Sequence, residues 1–337
     1  MYPSDNSRLR SASRGLAGAL ALALTIATVL PAALDARPFK NIVCLGDSLS
    51  DTGRFYAATG GTQPPPPYFP GRFCNGPVWN EHLAEMLDRE LNPDLQYAFG
   101  GSLTNDLNYN SVPPSFILPG FEQQVDEVIA DGKRGKVDPK ALYTVWVGAN
   151  DFFAWLLSGS QDPTAMIQGG VSNTVGGIAE LADAGARYFV VFNLPDLGKT
   201  PTAVGLGPQA SGLVTALCAT YNGILSDQLD LLEDGDSRLR IVRVDAFALI
   251  NDMVAKPADY GFTNVTSPAI SGLPAADPDD YLFWDGVHPT TAAQEYVAEE
   301  AFAQLQDEFA SLRRPSAEQN RFRWFGRQPF FPHHHNN

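Results

Sequence analysis

The sequence predicts an α/β fold, a three-layer α/β/α arrangement in which a mostly parallel sheet is covered by helices on both faces. Two observations carry the prediction. From Lys40 onward, short β-branched apolar runs alternate with longer segments of helical period, and strands separated by helices build βαβ units with right-handed crossovers. The 337-residue chain is also 44% hydrophobic, with 30 Gly and 26 Pro. That is enough apolar surface for one large core and enough turn formers for long, shaped loops.

Strands are expected at Asn41–Leu45, Gln96–Phe99, Leu142–Val147, Arg187–Phe192 and Leu239–Val244, short apolar runs that suit strands buried on both faces. Helical period covers Pro77–Leu91, Phe121–Asp131, Ala165–Ala184, Ser211–Leu232 and Thr290–Leu312. The first of these has Asn75 and Gly76 ahead of Pro77, a capped start with proline in the first turn. Two loops break the alternation. Tyr56–Cys74 contains the run Pro64–Pro67 followed by Tyr68 and Phe69, a stiff extended strap suited to walling a pocket. Lys256–Trp284 is long, irregular and proline-bearing, the kind of loop that commonly carries function. In parallel sheets ligands bind beyond the carboxyl ends of the strands, so functional residues are expected just after the strand runs.

The charge is unevenly spread. The whole chain has 23 Lys+Arg against 38 Asp+Glu, a net charge of −15, which disfavours nucleic acid as a partner. Residues 1–36 carry Arg8, Arg10 and Arg14 ahead of an uncharged apolar run, Leu16–Leu34, and read as a secretory signal processed near Ala36. An uncleaved membrane anchor is the alternative. The expected location is therefore secreted or periplasmic, with residues 37–312 as the main domain. Residues 313–337 hold five Arg and one Glu among Phe322, Trp324, Phe325, Phe330 and Phe331, leaving the body at −20. This basic aromatic tail is either a plain terminus or a segment for peripheral contact with a membrane or with the acidic body. Of the three cysteines, Cys44 lies in an apolar strand run, and an oxidising compartment would allow Cys74 and Cys218 to pair. No Cys-x-x-Cys or paired-His spacing offers a zinc site.

The first strand breaks at once into Gly46-Asp47-Ser48-Leu49-Ser50-Asp51-Thr52-Gly53. Ser48 there is expected on a tight turn entering a helix, its hydroxyl exposed at the functional edge and its anion favoured by the helix dipole. An ordinary N-cap serine is the plainer use. A serine nucleophile needs a base, and the chain has five histidines, three of them in the tail. His82 falls inside a helix pattern, which suits a structural role. His288 lies three residues after Asp285 on one short turn, so the carboxylate can orient the imidazole while the other ring nitrogen faces a nucleophile. Oxyanion donors have candidates at two strand ends: the backbone at Gly100-Gly101, and the Asn150 side chain in Gly148-Ala149-Asn150-Asp151. Competing motifs fail. The Gly-x-Ser-x-Gly elbow is absent at Ser48, Gly198-Lys199-Thr200 lacks its first glycine, and Gly205-x-Gly207 lies far from a strand.

Taken in order, Gly-Asp-Ser-Leu, the glycine pair, Gly-x-Asn-Asp and Asp-x-x-His resemble the four blocks of the GDSL esterase/lipase family, the SGNH hydrolases. Gly71–Trp79 and Phe283–Thr290 resemble its secreted bacterial lipolytic branch, with Cys74 where that branch usually has serine. The resemblance spans nearly all of Asn41–Leu312 and implies the SGNH fold with a flavodoxin-like sheet. It implies Ser48 as nucleophile, His288 as base and Asp285 as its orienter, with an oxyanion hole of the Ser48 and Gly101 backbone N–H groups and the Asn150 side chain; Gly100 stays open as the alternative to Gly101. The implied activity is hydrolysis of a small-molecule or lipid ester through an acyl-enzyme, with no cofactor. An acyltransferase using the same serine is the alternative, and a non-catalytic binding protein is a third reading.

Overall fold

A computed structural model describes residues 39–132, 137–160, 162–273 and 276–309, so the expected signal segment 1–36 and the tail 313–337 lie outside the described residues. Four strands, β1 (Ile42–Gly46), β2 (Leu142–Trp146), β3 (Tyr188–Phe192) and β4 (Arg240–Val244), pair in parallel in chain order. Ile42 lies opposite Leu142, Leu142 opposite Tyr188 and Tyr188 opposite Arg240, so all four strands end along one edge.

The expected strand Gln96–Phe99 is reduced to one parallel bridge between Gln96 and Cys44. Tyr97 and Ala98 both donate to the Cys44 carbonyl, at 2.7 and 2.9 Å, and Phe99 donates to the Gly46 carbonyl at 3.0 Å. Two consecutive donors on one acceptor break the alternation a ladder requires, and the chain turns away. The segment still occupies the position outside β1, so counting it gives the order 2-1-3-4-5 of a flavodoxin-like sheet.

Nine α-helices are described: α1 (Arg54–Ala58), α2 (Trp79–Met86), α3 (Phe121–Asp131), α4 (Ala149–Ser158), α5 (Thr164–Ala184), α6 (Pro201–Gly205), α7 (Pro208–Gly235), α8 (Ala246–Ala255) and α9 (Thr291–Glu308). Strand residues alternate between two cores, as a pleat requires. Val43, Leu45, Tyr143, Val145, Phe189 and Val191 face α3, α5 and α7. Ile42, Cys44, Leu142, Trp146, Val190 and Phe192 face α2 and α9. On the second face Trp79 packs 4.4 Å from Phe192 and 6.0 Å from Trp146, and its indole N–H donates to Ser50 Oγ at 3.0 Å. A fully buried aromatic therefore props up the turn that follows β1.

The helix expected over Pro77–Leu91 is shorter. It begins at Trp79, where Glu81 Oε2 accepts the Val78 N–H at 3.0 Å, and it ends before Asp88, whose φ is 54°. Asn75 is not its cap: its side chain accepts the Thr291 N–H at 2.9 Å and so joins the strap to the start of α9. All three cysteines are free and buried, Cys74 beside Trp284 and Cys218 in the α7 core, so the pairing left open by sequence does not form.

The end of β1 is fixed by two long-range contacts. Gly46 has φ 148°, and a Cβ there would meet the Trp146 carbonyl oxygen at 2.3 Å, so no side chain fits. Gln124, fully buried on α3, accepts the Gly46 N–H at 2.9 Å, donates to the Gly46 carbonyl at 2.9 Å and donates to Ser102 Oγ at 2.8 Å. A Gln124→Leu variant leaves the Gly46 N–H buried without an acceptor, and is expected to lose about 1–3 kcal/mol of stability in urea unfolding. An unchanged midpoint and slope would show that Gln124 does not hold β1.

Candidate active site

The chain leaves β1 through a single helical turn in which the Ser50 and Asp51 N–H groups both bond the Asp47 carbonyl at 3.0 Å. Ser48 rides on this turn, 8% exposed. It does not start a helix as the sequence reading expected. The helix that follows, α1, begins at Arg54, and its N-terminal donors are taken by Asp51, whose carboxylate accepts from Gly53, Arg54 and Phe55 at 2.7–3.0 Å. The helix dipole therefore serves Asp51, and Ser48 presents from a turn its hydroxyl and an N–H that has no acceptor among the described residues.

Asp285 and His288 come from the end of the long loop before α9. Asp285 Oδ1 accepts the backbone N–H groups of Val287 and His288 at 2.8 and 2.7 Å, an Asx turn that brings the two side chains together. His288 Nδ1 lies 2.7 Å from Asp285 Oδ2, and His288 Nε2 lies 2.8 Å from Ser48 Oγ. The three residues thus form one continuous relay. Burial pushes the His288 pKa down, but the charge and hydrogen bond of Asp285 outweigh it and raise it above 6.5. Burial likewise opposes ionisation of Asp285, yet His288 and the two backbone donors bring its pKa down to about 2. His82 is elsewhere, on α2, with Nε2 3.3 Å from Thr291 Oγ1.

The expected oxyanion donors gather on the same edge. The Gly100 N–H donates to Asp51 Oδ2 at 2.8 Å, whereas the Gly101 N–H has no acceptor among the described residues. Gly101 has φ 85°, and a Cβ on it would meet Asn110 Nδ2 at 2.3 Å, so the turn tolerates only glycine. Asn150, in the first turn of α4, gives one amide hydrogen to the Ser102 carbonyl at 3.0 Å, and the other has no acceptor among the described residues. Its neighbour Asp151 accepts from the Thr104 N–H at 3.0 Å and the Thr104 hydroxyl at 2.7 Å. The loop carrying Gly101 is therefore tied to β1 by Asp51 and to β2 by Asn150 and Asp151.

Sequence reasoning missed four contributors. Asp51 and Asp151 stand inside the quoted motifs, and an aspartate just before a turn is a signal for backbone capture. Asp47 is also buried, which pushes its pKa up to about 7 although the Leu49 N–H and His288 favour its anion. Tyr68 gave no local signal: its hydroxyl donates to Asp285 Oδ2 at 2.8 Å across 217 residues. Among the described residues no group of three or more His, Cys, Asp or Glu side chains is placed to hold a metal ion. Among the same residues no helix is long and apolar enough to cross a membrane.

Known proteins similar to the chain include an acyltransferase, a hemolysin and an esterase. The chain is 28% identical to a phosphatidylcholine-sterol acyltransferase of Aeromonas hydrophila, over 83% of this chain and 94% of that protein. It is 28% identical to a thermolabile hemolysin of Vibrio parahaemolyticus over 80% of this chain, spanning 64% of that protein's length. A solved acetyl-xylooligosaccharide esterase of Geobacillus stearothermophilus aligns with 83% of this chain and all of its own, at 14% identity and a TM-score of 0.47. Residues 42–301, which hold all four motif blocks, match GDSL-like lipase/acylhydrolase. The chain belongs to the GDSL-like lipase/acylhydrolase family of ester hydrolases.

Proposed function

We propose that the chain cleaves carboxylic esters through an acyl-enzyme on Ser48. The observation that carries this reading is the relay from Ser48 Oγ to His288 Nε2 at 2.8 Å and from His288 Nδ1 to Asp285 Oδ2 at 2.7 Å. His288 takes the Ser48 proton as the oxygen attacks the ester carbonyl, and the imidazolium is held by Asp285. The oxyanion receives the free N–H groups of Ser48 and Gly101 and the second amide hydrogen of Asn150. His288 then protonates the leaving alcohol, and water repeats the sequence on the acyl-enzyme. The engagement of Gly100 by Asp51 favours Gly101 as the donor.

The loop that follows Gly101 supports an apolar acyl group. From Leu107 to Phe121 it has no charged residue, and Leu107, Tyr109, Val112 and Ile117 are 47–61% exposed. A second reading, transfer of the acyl group to an alcohol in place of water, is favoured by the likeness to the Aeromonas acyltransferase over 94% of its length. The basic leader and apolar run of residues 1–36 support export, and the basic aromatic tail 313–337 supports peripheral contact with a membrane.

A panel of p-nitrophenyl esters from acetyl to long-chain, with and without an added alcohol, separates the two products: free acid for hydrolysis, a new ester for transfer. Ser48→Ala is expected to abolish turnover and labelling by a fluorophosphonate, and Asn150→Ala to cost about 10²–10³ in kcat. Full activity in a folded Ser48→Ala variant overturns the assignment. Because the base must be neutral and its pKa is raised, kcat/KM is expected to climb with pH to a half-maximum above 6.5. In Asp285→Asn the largest raising influence is gone, Asp47 alone remains against burial, and the midpoint moves to lower pH at a much reduced rate.

A further inference from the structure

The proline strap that sequence marked as a pocket wall reaches the relay at two points. Tyr68 donates to Asp285 Oδ2 at 2.8 Å, the same oxygen that faces His288 Nδ1. Five residues on, the Phe73 ring lies 5.3 Å from the His288 ring at 34°. The strap is fastened at its base: Phe69 N–H bonds the Cys74 carbonyl at 2.9 Å, and the Arg72 guanidinium makes a two-point pair with Glu81 at the start of α2. The Tyr68 ring is set edge-on against Trp284 at 5.7 Å. Each oxygen of Asp285 thus has two donors, Val287 and His288 backbone N–H on one, Tyr68 O–H and His288 Nδ1–H on the other.

We propose that Tyr68 is a positioning residue for the ester reaction: its hydroxyl fixes the Asp285 carboxylate in the plane that orients His288 toward Ser48. The proposal rests on the reading of Ser48, His288 and Asp285 as the catalytic relay. The phenol is suited to the task because burial and the adjacent carboxylate hold its pKa far above the usual value, so it stays a donor. With two donors on Oδ2, the carboxylate is held against rotation and part of its charge is offset. Loss of the hydroxyl frees the rotation and strengthens the pull of Asp285 on the imidazole proton, which moves the acidic limb of the rate profile to higher pH. The other titratable groups facing the pair are Cys74 and Asp47. Burial pushes the Cys74 thiol up to about 12, so it stays neutral. Asp47, pushed up to about 7 by burial, lies on the Ser48 turn and contributes alike with and without the hydroxyl.

The test is a double-mutant cycle on the full chain, with Tyr68→Phe, Asp285→Asn and the pair, read as kcat, KM and pH profile on a short p-nitrophenyl ester. Tyr68→Phe keeps the ring against Trp284, and an unchanged thermal melting curve checks the fold. In the wild-type background it is expected to lower kcat about tenfold with KM altered less than about twofold, and to shift the acidic limb upward. In the Asp285→Asn background the same change is expected to cost less than about twofold, because the carboxylate through which it acts is gone. Equal losses in both backgrounds, an effect confined to KM, or an unmoved rate and limb each overturn the proposal. Full activity in Asp285→Asn alone removes the relay reading itself, and the role of Tyr68 falls with it.

Discussion

The contact between Ser48 and His288 spans 240 residues of chain and closes at 2.8 Å. Neither side chain has a local reason to meet the other. The distance is set by the sheet, whose parallel register ends β1 beside β2, and by α9, which packs on the same face as α2 and draws the Asp285–His288 turn over the end of β1. A displacement of about 1 Å at such a contact is worth roughly 10²-fold in rate, so the precision of the sheet edge is a functional property.

That precision is reached with buried carboxylates. Asp51 and Asp151 are surrounded by backbone and hydroxyl donors, four N–H groups at Asp51 and an N–H and a hydroxyl at Asp151. Burial pushes both pKa values up, Asp151 to about 6. An isolated buried charge is costly, and convergent hydrogen bonds offset the cost only if the loops stay in place. The same bonds that solvate the carboxylates therefore lock the turn bearing Ser48 to the loop bearing Gly101 and to the start of α4. Gln124 does the equivalent with a neutral amide on the backbone of Gly46.

Charge divides the molecule at a larger scale. The body from 37 to 312 carries −20, yet the loop from Leu107 to Phe121 beside the site is uncharged and apolar.

The alternation of apolar runs and helical periods was enough to indicate a parallel sheet covered on both faces and the edge where functional residues were expected, and the order of its strands was implied by the family resemblance. Four ordered motif blocks, with only two histidines in the body, were enough to nominate Ser48, Asp285, His288 and Asn150 and to narrow the backbone donor to Gly100 or Gly101. Those features are local: a period, a turn signature or a spacing is written in consecutive residues. What remained hidden depended on neighbours far along the chain. The run Gln96–Phe99 has strand composition, but two of its donors converge on the Cys44 carbonyl and end the ladder after one bridge. Asn75 has the chemistry of a helix cap, but caps the turn into α9 and not the helix it precedes. The choice between Gly100 and Gly101 turned on a carboxylate some 49 residues away. Tyr68 and Phe73 met the relay only because a strap anchored on α2 passes over it. Identity and register follow from local chemistry, whereas hydrogen-bond partners at 3 Å follow from packing, which no single stretch of sequence contains.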